Sequence, residues 1–76
     1  MTNSEAKDAL FAKTPVIYKN TEYSYISAIV YRVDKNNNLF ISAELMDKNE
    51  RSVTIAQLKE VYPLHDQSNQ ATTYLP

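Results

Sequence analysis

The chain contains no cysteine, no glycine and no tryptophan, and no uninterrupted apolar run exceeds four residues, as in Ala28-Ile29-Val30-Tyr31. Without cysteine there is no disulfide framework, no thiolate zinc site and no thiol nucleophile. Without glycine there is no phosphate-cradling loop of the mononucleotide or dinucleotide type, because those loops need a backbone free of Cβ to approach phosphate. Every turn that requires a positive φ must then use another residue, and the seven Asn residues suggest Asn or Asp for that role. The short apolar runs fall far below the roughly 20 residues that span a bilayer. The opening MTNSEAKDALF holds two acids and no apolar stretch, so it does not read as a secretory signal, and a cytoplasmic protein is expected.

Charge of one sign is lacking too. The formal net charge is −1, and residues 15–64 carry six Lys/Arg against six Asp/Glu. Such balance argues against a broad electrostatic grip on nucleic acid, which needs several unopposed cations. What is present is ordinary globular composition: 43% hydrophobic and 22% charged residues over 76 positions, enough for one small domain and too apolar for a disordered chain.

Thr2 or Ser4 can cap a short helix over about residues 4–12, with Glu5 completing a capping box from Thr2. Ala6, Ala9, Leu10 and Lys13 recur at helical spacing, so an Ala6/Leu10 stripe, aided by Phe11, is expected to dock on the rest of the molecule. Thr14-Pro15 ends the helix. From Val16 the pattern turns β: VIYK, a turn at Asn20-Thr21, then a long run over 23–33. That run is apolar on both alternations, Tyr25, Ile29, Tyr31 and Val33 on one, Ile26, Ala28 and Val30 on the other. Such a strand is expected to be long, bent and to change sheets partway. Asp34-Lys35-Asn36-Asn37-Asn38 reads as a hairpin loop. In the next strand Leu39, Ile41, Ala43 and Leu45 face inward, and after a turn at Asp47-Lys48-Asn49-Glu50 the inward set is expected to continue through Val53 and Ile55. Gln57-Leu58-Lys59 reads as one 3₁₀ turn before Val61-Tyr62. From His65 the composition is polar and aperiodic, so a flexible tail over 65–76 is expected, with Tyr74-Leu75 able to dock locally.

This order of elements, carried by Tyr25-Ile26-Ser27-Ala28-Ile29-Val30-Tyr31-Arg32-Val33, Leu45-Met46-Asp47-Lys48-Asn49 and Val53-Thr54-Ile55 with Leu58-Lys59-Glu60-Val61, resembles SH3-like barrels of the Tudor-like branch over about residues 15–64. The composition also resembles small uncharacterised proteins of low-GC Gram-positive bacteria and their prophages. The resemblance implies a mainly β fold, a five-stranded SH3-like barrel preceded by an N-terminal helical segment over 1–14. Tudor-like domains hold methylated cations in an aromatic cage or bind nucleic acid. Here Lys48 stands in the turn where a cage aromatic is usual, and an ammonium there would repel a cationic ligand.

Chemistry-bearing residues are sparse. His65 is the single histidine and has only Asp66 beside it, too little for a metal site. Glu22, Asp34, Asp47 and Glu50 fall in or beside turns, where water is expected to keep their pKa values ordinary, so no catalytic acid or base is expected and no cofactor. The enrichment is tyrosine: Tyr18, Tyr23, Tyr25 and Tyr31 lie within fourteen positions. These rings either close the end of the barrel or form a shallow ligand face of Tyr18, Tyr23, Tyr25 and Lys48. The leading expectation is a non-enzymatic interaction module that binds a protein partner or itself through the Tyr face, the N-terminal helix or an open barrel edge. The alternative is a nucleic-acid-binding accessory protein, with Lys19, Arg32, Lys35, Lys48 and Arg51 on phosphates and Tyr23 and Tyr25 stacked on bases. No membrane role is expected.

Overall fold

A computed structural model of the chain describes residues 1–64. The expectations for His65 and for the 65–76 tail lie outside the described residues. One helix, α1 (Asn3–Ala12), precedes six strands: β1 (Val16–Tyr18), β2 (Thr21–Tyr23), β3 (Tyr25–Val33), β4 (Leu39–Met46), β5 (Val53–Gln57) and β6 (Val61–Pro63), with a 3₁₀ turn at Leu58–Glu60. The fold is mainly β, as expected. The strands form two three-stranded sheets, β2-β1-β6 and β3-β4-β5, all antiparallel. Both sheets are open, and among the described residues no ladder joins them into a closed five-stranded barrel.

The long run of the sequence does bend and change sheets. Ser24 alone separates β2 in the first sheet from β3 in the second, and its N–H donates to the Met46 carbonyl at 2.8 Å. A bulge at Ser27 then shifts the β3–β4 register between Ile26 and Ala28. The extra residue puts Ile26 on the same side as Ile29 and Tyr31, and leaves Tyr25, Ala28 and Val30 on the other. That shift resolves the two-sided apolar pattern in a way that strict alternation does not.

Thr2 caps α1: its Oγ1 accepts from the Glu5 N–H at 3.1 Å, and Glu5 Oε1 accepts from the Thr2 N–H at 2.7 Å. The backbone bond lowers the Glu5 pKa, so the box is made with an ionised carboxylate. Lys13 ends the helix in the left-handed region and donates to the Ala9 carbonyl. Ala6 and Ala9, both buried, form the docking face, with Leu10 half-buried beside them. Two methyl-sized side chains let the helix backbone come close to β3. Phe11 contributes nothing to the dock and is 82% exposed, because five helical steps from Ala6 turn it well off the buried face.

The core lies between the two sheets and under the helix. Val16 and Val61 from the first sheet meet Ile26, Ala43, Leu45, Ala56 and Leu58 from the second, with Ala6 and Ala9 above. Val53 and Ile55 are not part of it. The register pairs Leu45 with Thr54 and Ala43 with Ala56, so Thr54 and Ala56 face inward while Ile55 is 56% exposed on the outer face. The length of the Asp47–Ser52 turn sets that parity, and a slip of one residue would exchange the faces.

Five non-glycine residues adopt positive φ among the described residues: Lys13 (56°), Lys19 (50°), Asn20 (62°), Asn37 (65°) and Glu50 (55°). Asn fills two of these positions and Asp none. Lys and Glu take the others, at a steric cost of about 1 kcal/mol or more each.

Candidate functional site

The four residues expected to share a face are distributed differently. Val16, Tyr18, Tyr23 and Val61 lie on the inner side of the first sheet, where Tyr18 pairs with Thr21 and Val61 and Tyr23 pairs with Val16. The Tyr18 and Tyr23 rings, diagonal neighbours across β1 and β2, tilt at 45° with centroids 6.5 Å apart. Both are half-buried and packed against the core, so part of each ring closes the end of the core between the sheets. The cation beside this pair is Lys19, whose Nζ lies 5.3 Å from the Tyr18 centroid. Lys48 instead pairs with Glu22 at 3.2 Å. Glu22 neighbours Tyr23 along β2 and therefore points to the opposite side of the sheet.

Tyr25 stands apart from the pair. Its ring sits under Lys13 Nζ at 5.7 Å and its hydroxyl donates to Glu50 Oε1 at 3.4 Å. Desolvation, and then the neighbouring Glu50 carboxylate, push its ionisation above the ordinary tyrosine value. The structure thus brings Tyr18 and Tyr23 together, adds Lys19, and leaves Tyr25 and Lys48 in separate local contacts.

Two of the turn carboxylates, Asp34 and Asp47, depart from ordinary pKa values. Asp34 is lowered, chiefly by the Asn38 backbone N–H that it accepts at 2.9 Å, with the Asn36 N–H at 2.8 Å adding to it. Asp47 is lowered chiefly by the Arg51 backbone N–H at 3.0 Å and then by the Ser52 hydroxyl at 2.8 Å. Both shifts favour the permanently charged form. Bonds that saturate the carboxylates serve the turns and move these groups away from acid-base work near neutrality. Among the described residues no three His, Asp or Glu side chains gather in a metal-type cluster, and no helix is long and apolar enough to cross a membrane.

A second surface lies at the far end of the β3–β4 hairpin. The ladder continues there through Tyr31↔Ile41, Arg32↔Phe40 and Val33↔Leu39, but β5 accompanies β4 only from Ser42↔Gln57 onward. Beyond Gln57 the ladder ends in the 3₁₀ turn, whose Leu58 and Lys59 stay beside β4. The strand edge at Leu39–Ile41 is left open, bordered by a groove of about 740 Å³ whose walls include Leu39, Phe40, Ile41, Leu58, Arg32 and Lys59. Leu39 is 57% and Phe40 48% exposed. The adjacent pair Leu39-Phe40, apolar on both alternations right after the loop, is the sequence signal that marks this end. No protein-family model, no curated protein and no solved structure matches the chain.

Proposed function

We propose that the chain is a small non-enzymatic interaction module, working in the cytoplasm, that binds a protein partner or a second copy of itself. The observation that carries this reading is the uncovered hairpin end, where Val33, Leu39 and Phe40 remain about half exposed beside an open groove. Apolar surface gains about 25 cal/mol per Å² when removed from water, and exposed apolar side chains on both faces of an unpaired strand edge offer a docking site. The fold reading that accompanies it is an SH3-like barrel, with β2 and β3 as two halves of one bent strand. Its support is the single residue between those strands, the β1–β6 pairing, the β3-β4-β5 meander and the 3₁₀ turn before the last strand.

Two measurements test the function together: sedimentation velocity over a wide range of concentration, and selection from a displayed random-peptide library. A concentration-dependent dimer, or an enriched peptide family whose binding is lost in Phe40→Ser, is the expected result. A strict monomer with no enriched family overturns the reading.

A second reading, a nucleic-acid-binding accessory protein, is favoured by the tilted Tyr18–Tyr23 pair with Lys19 beside it. The remaining cations do not extend that site. Lys48 is engaged by Glu22, and Lys35 and Arg51 lie in turns at opposite ends of the eight-residue β4, about 25 Å apart at the usual strand rise. Binding of a labelled single-stranded oligonucleotide at low salt, lost in Tyr23→Ala and weakened by added salt, would transfer the conclusion to this reading.

A further inference from the structure

We infer that the Leu39–Ile41 edge of β4 takes an extended peptide segment of a partner protein, apolar and acidic in composition, as an added strand; this rests on the interaction-module reading and specifies its site and ligand. Three observations carry it. The first is the phase of the ladder. The Asp34 N–H donates to the Asn38 carbonyl at 3.1 Å, which makes 34/38 a hydrogen-bonded pair and Val33↔Leu39 a non-bonded one. Antiparallel pairs alternate, so Leu39 and Ile41 turn their N–H and C=O groups away from β3, toward the side that β5 has left. Leu39 therefore turns one donor and one acceptor to an edge with no ladder partner, while Ile41 stands opposite Leu58, the first residue past the end of β5.

The second observation is side-chain chemistry. Along the edge, Leu39 and Ile41 project to one face, where Leu58 also lines the groove, and Phe40 to the other. An added strand presents alternate side chains to those same two faces, so apolar residues would find Leu39, Ile41 and Leu58 on one and the Phe40 ring on the other. The third is charge. The groove walls hold Arg32 and Lys59 and no Asp or Glu, and neither cation makes an ion pair among the described residues. Carboxylates on the incoming strand would meet both. A second copy of this chain would instead bring a second Arg32 and Lys59 to the same groove. Flanking cations of this kind are a usual guard of strand edges against self-pairing.

The test uses the whole chain, nitrogen-labelled, and two short blocked peptides, one alternating valine with glutamate and one alternating valine with lysine. The expected result is that the glutamate peptide moves the amide signals of Leu39, Phe40 and Ile41. The lysine peptide should bind at least about tenfold more weakly. N-methylating the glutamate peptide at alternate residues, in the frame that faces the edge, should abolish binding, which a merely electrostatic or apolar contact would not require. The double variant Arg32→Glu/Lys59→Glu should reverse the preference between the two peptides while its unbound spectrum keeps the β3–β4 pattern. Shifts centred on Tyr18 and Tyr23, equal affinity for both peptides, or no shift with either overturns the proposal. So does movement of the edge signals on dilution alone, which would assign the groove to a second copy. The binding and dilution outcomes leave the interaction-module reading standing, since that reading falls only to a strict monomer with no selected peptide.

Discussion

The two ends of the β3–β4 hairpin are built from the same strands with the same apolar alternation, yet they differ in what lies over them. At the near end Ile26, Ala43 and Leu45 sit under Val16, Val61 and the Ala6/Ala9 face of α1, and Leu45 is wholly buried. At the far end Val33 and Leu39 continue the same inward line beyond the buried core, where only the start of the chain, through Met1 and Asn3, reaches the groove beside Leu39, and each is 57% exposed. Inward-facing and buried are thus separate properties. Alternation decides the first, and the reach of the covering layer decides the second. The three-residue strands β1, β2 and β6 are too short to cover a hairpin of eight or nine residues per strand.

The sharpest way to break this contrast is to truncate leucine at both ends of one strand. Leu45→Ala should cost about 2–5 kcal/mol of unfolding free energy, through lost burial and the cavity left behind. Leu39→Ala should cost under about 1 kcal/mol. Urea denaturation of the two variants checks both values, and equal losses would mean that the far end is covered in solution. A second pair probes the covering helix. Ala6→Leu forces a larger side chain into the close contact with β3 and should cost about 1–3 kcal/mol. Phe11→Ser, one turn on and facing water, should stay within about 0.5 kcal/mol of the parent.

The local devices were legible in the sequence because each depends on neighbours a few positions apart. The Thr2/Glu5 box, the Asp34–Asn38 loop and the bent run over 23–33 stand where the residues suggest, and the turn begun at Asp47–Glu50 runs on to Ser52. Properties that depend on pairing between distant segments were not. Ile55 looks inward by its own alternation, but its face is fixed by register with Glu44 across the turn. Ile26 and Ile29 look opposed until the Ser27 bulge brings them to one side. The tyrosine cluster was visible as composition, yet nothing local indicates that Tyr18 and Tyr23 share the inner side while Lys48 is taken up by Glu22. The open edge was the least legible, because it exists only where β5 stops short of β4.

A smaller effect distinguishes backbone strain from helix propensity on α1. Lys13 holds a left-handed conformation that glycine adopts without steric cost, so Lys13→Gly should stabilise the fold by about 0.5–1 kcal/mol after the entropy of the unfolded chain is counted. Lys7→Gly, in the exposed helix interior, should cost about 1 kcal/mol. Opposite signs from one chemical change, read by thermal unfolding, would locate strain at the helix end; the same sign at both positions would remove it.

The smallest effect concerns the two turn aspartates, which again sit at opposite ends of β4. The pKa values of Asp34 and Asp47 are lowered by hydrogen bonds to backbone N–H groups, so folding favours their ionised forms. Their contribution to stability is therefore full above the ordinary carboxylate range, near pH 4, and is lost as pH falls through the lowered folded values. The consequences should differ by end. Asp47 closes the turn that aligns Ala56 with Ala43 in the core, so its protonation, or Asp47→Ala, should lower the urea midpoint of the whole molecule. Asp34 closes the loop at the uncovered end, where little core depends on register. Its protonation, or Asp34→Ala, should mainly speed hydrogen exchange at Asn36 and Asn38 while the midpoint moves less. If both variants lower the midpoint equally, the far end of the hairpin folds as one unit with the core, and exposure there is a property of the surface alone.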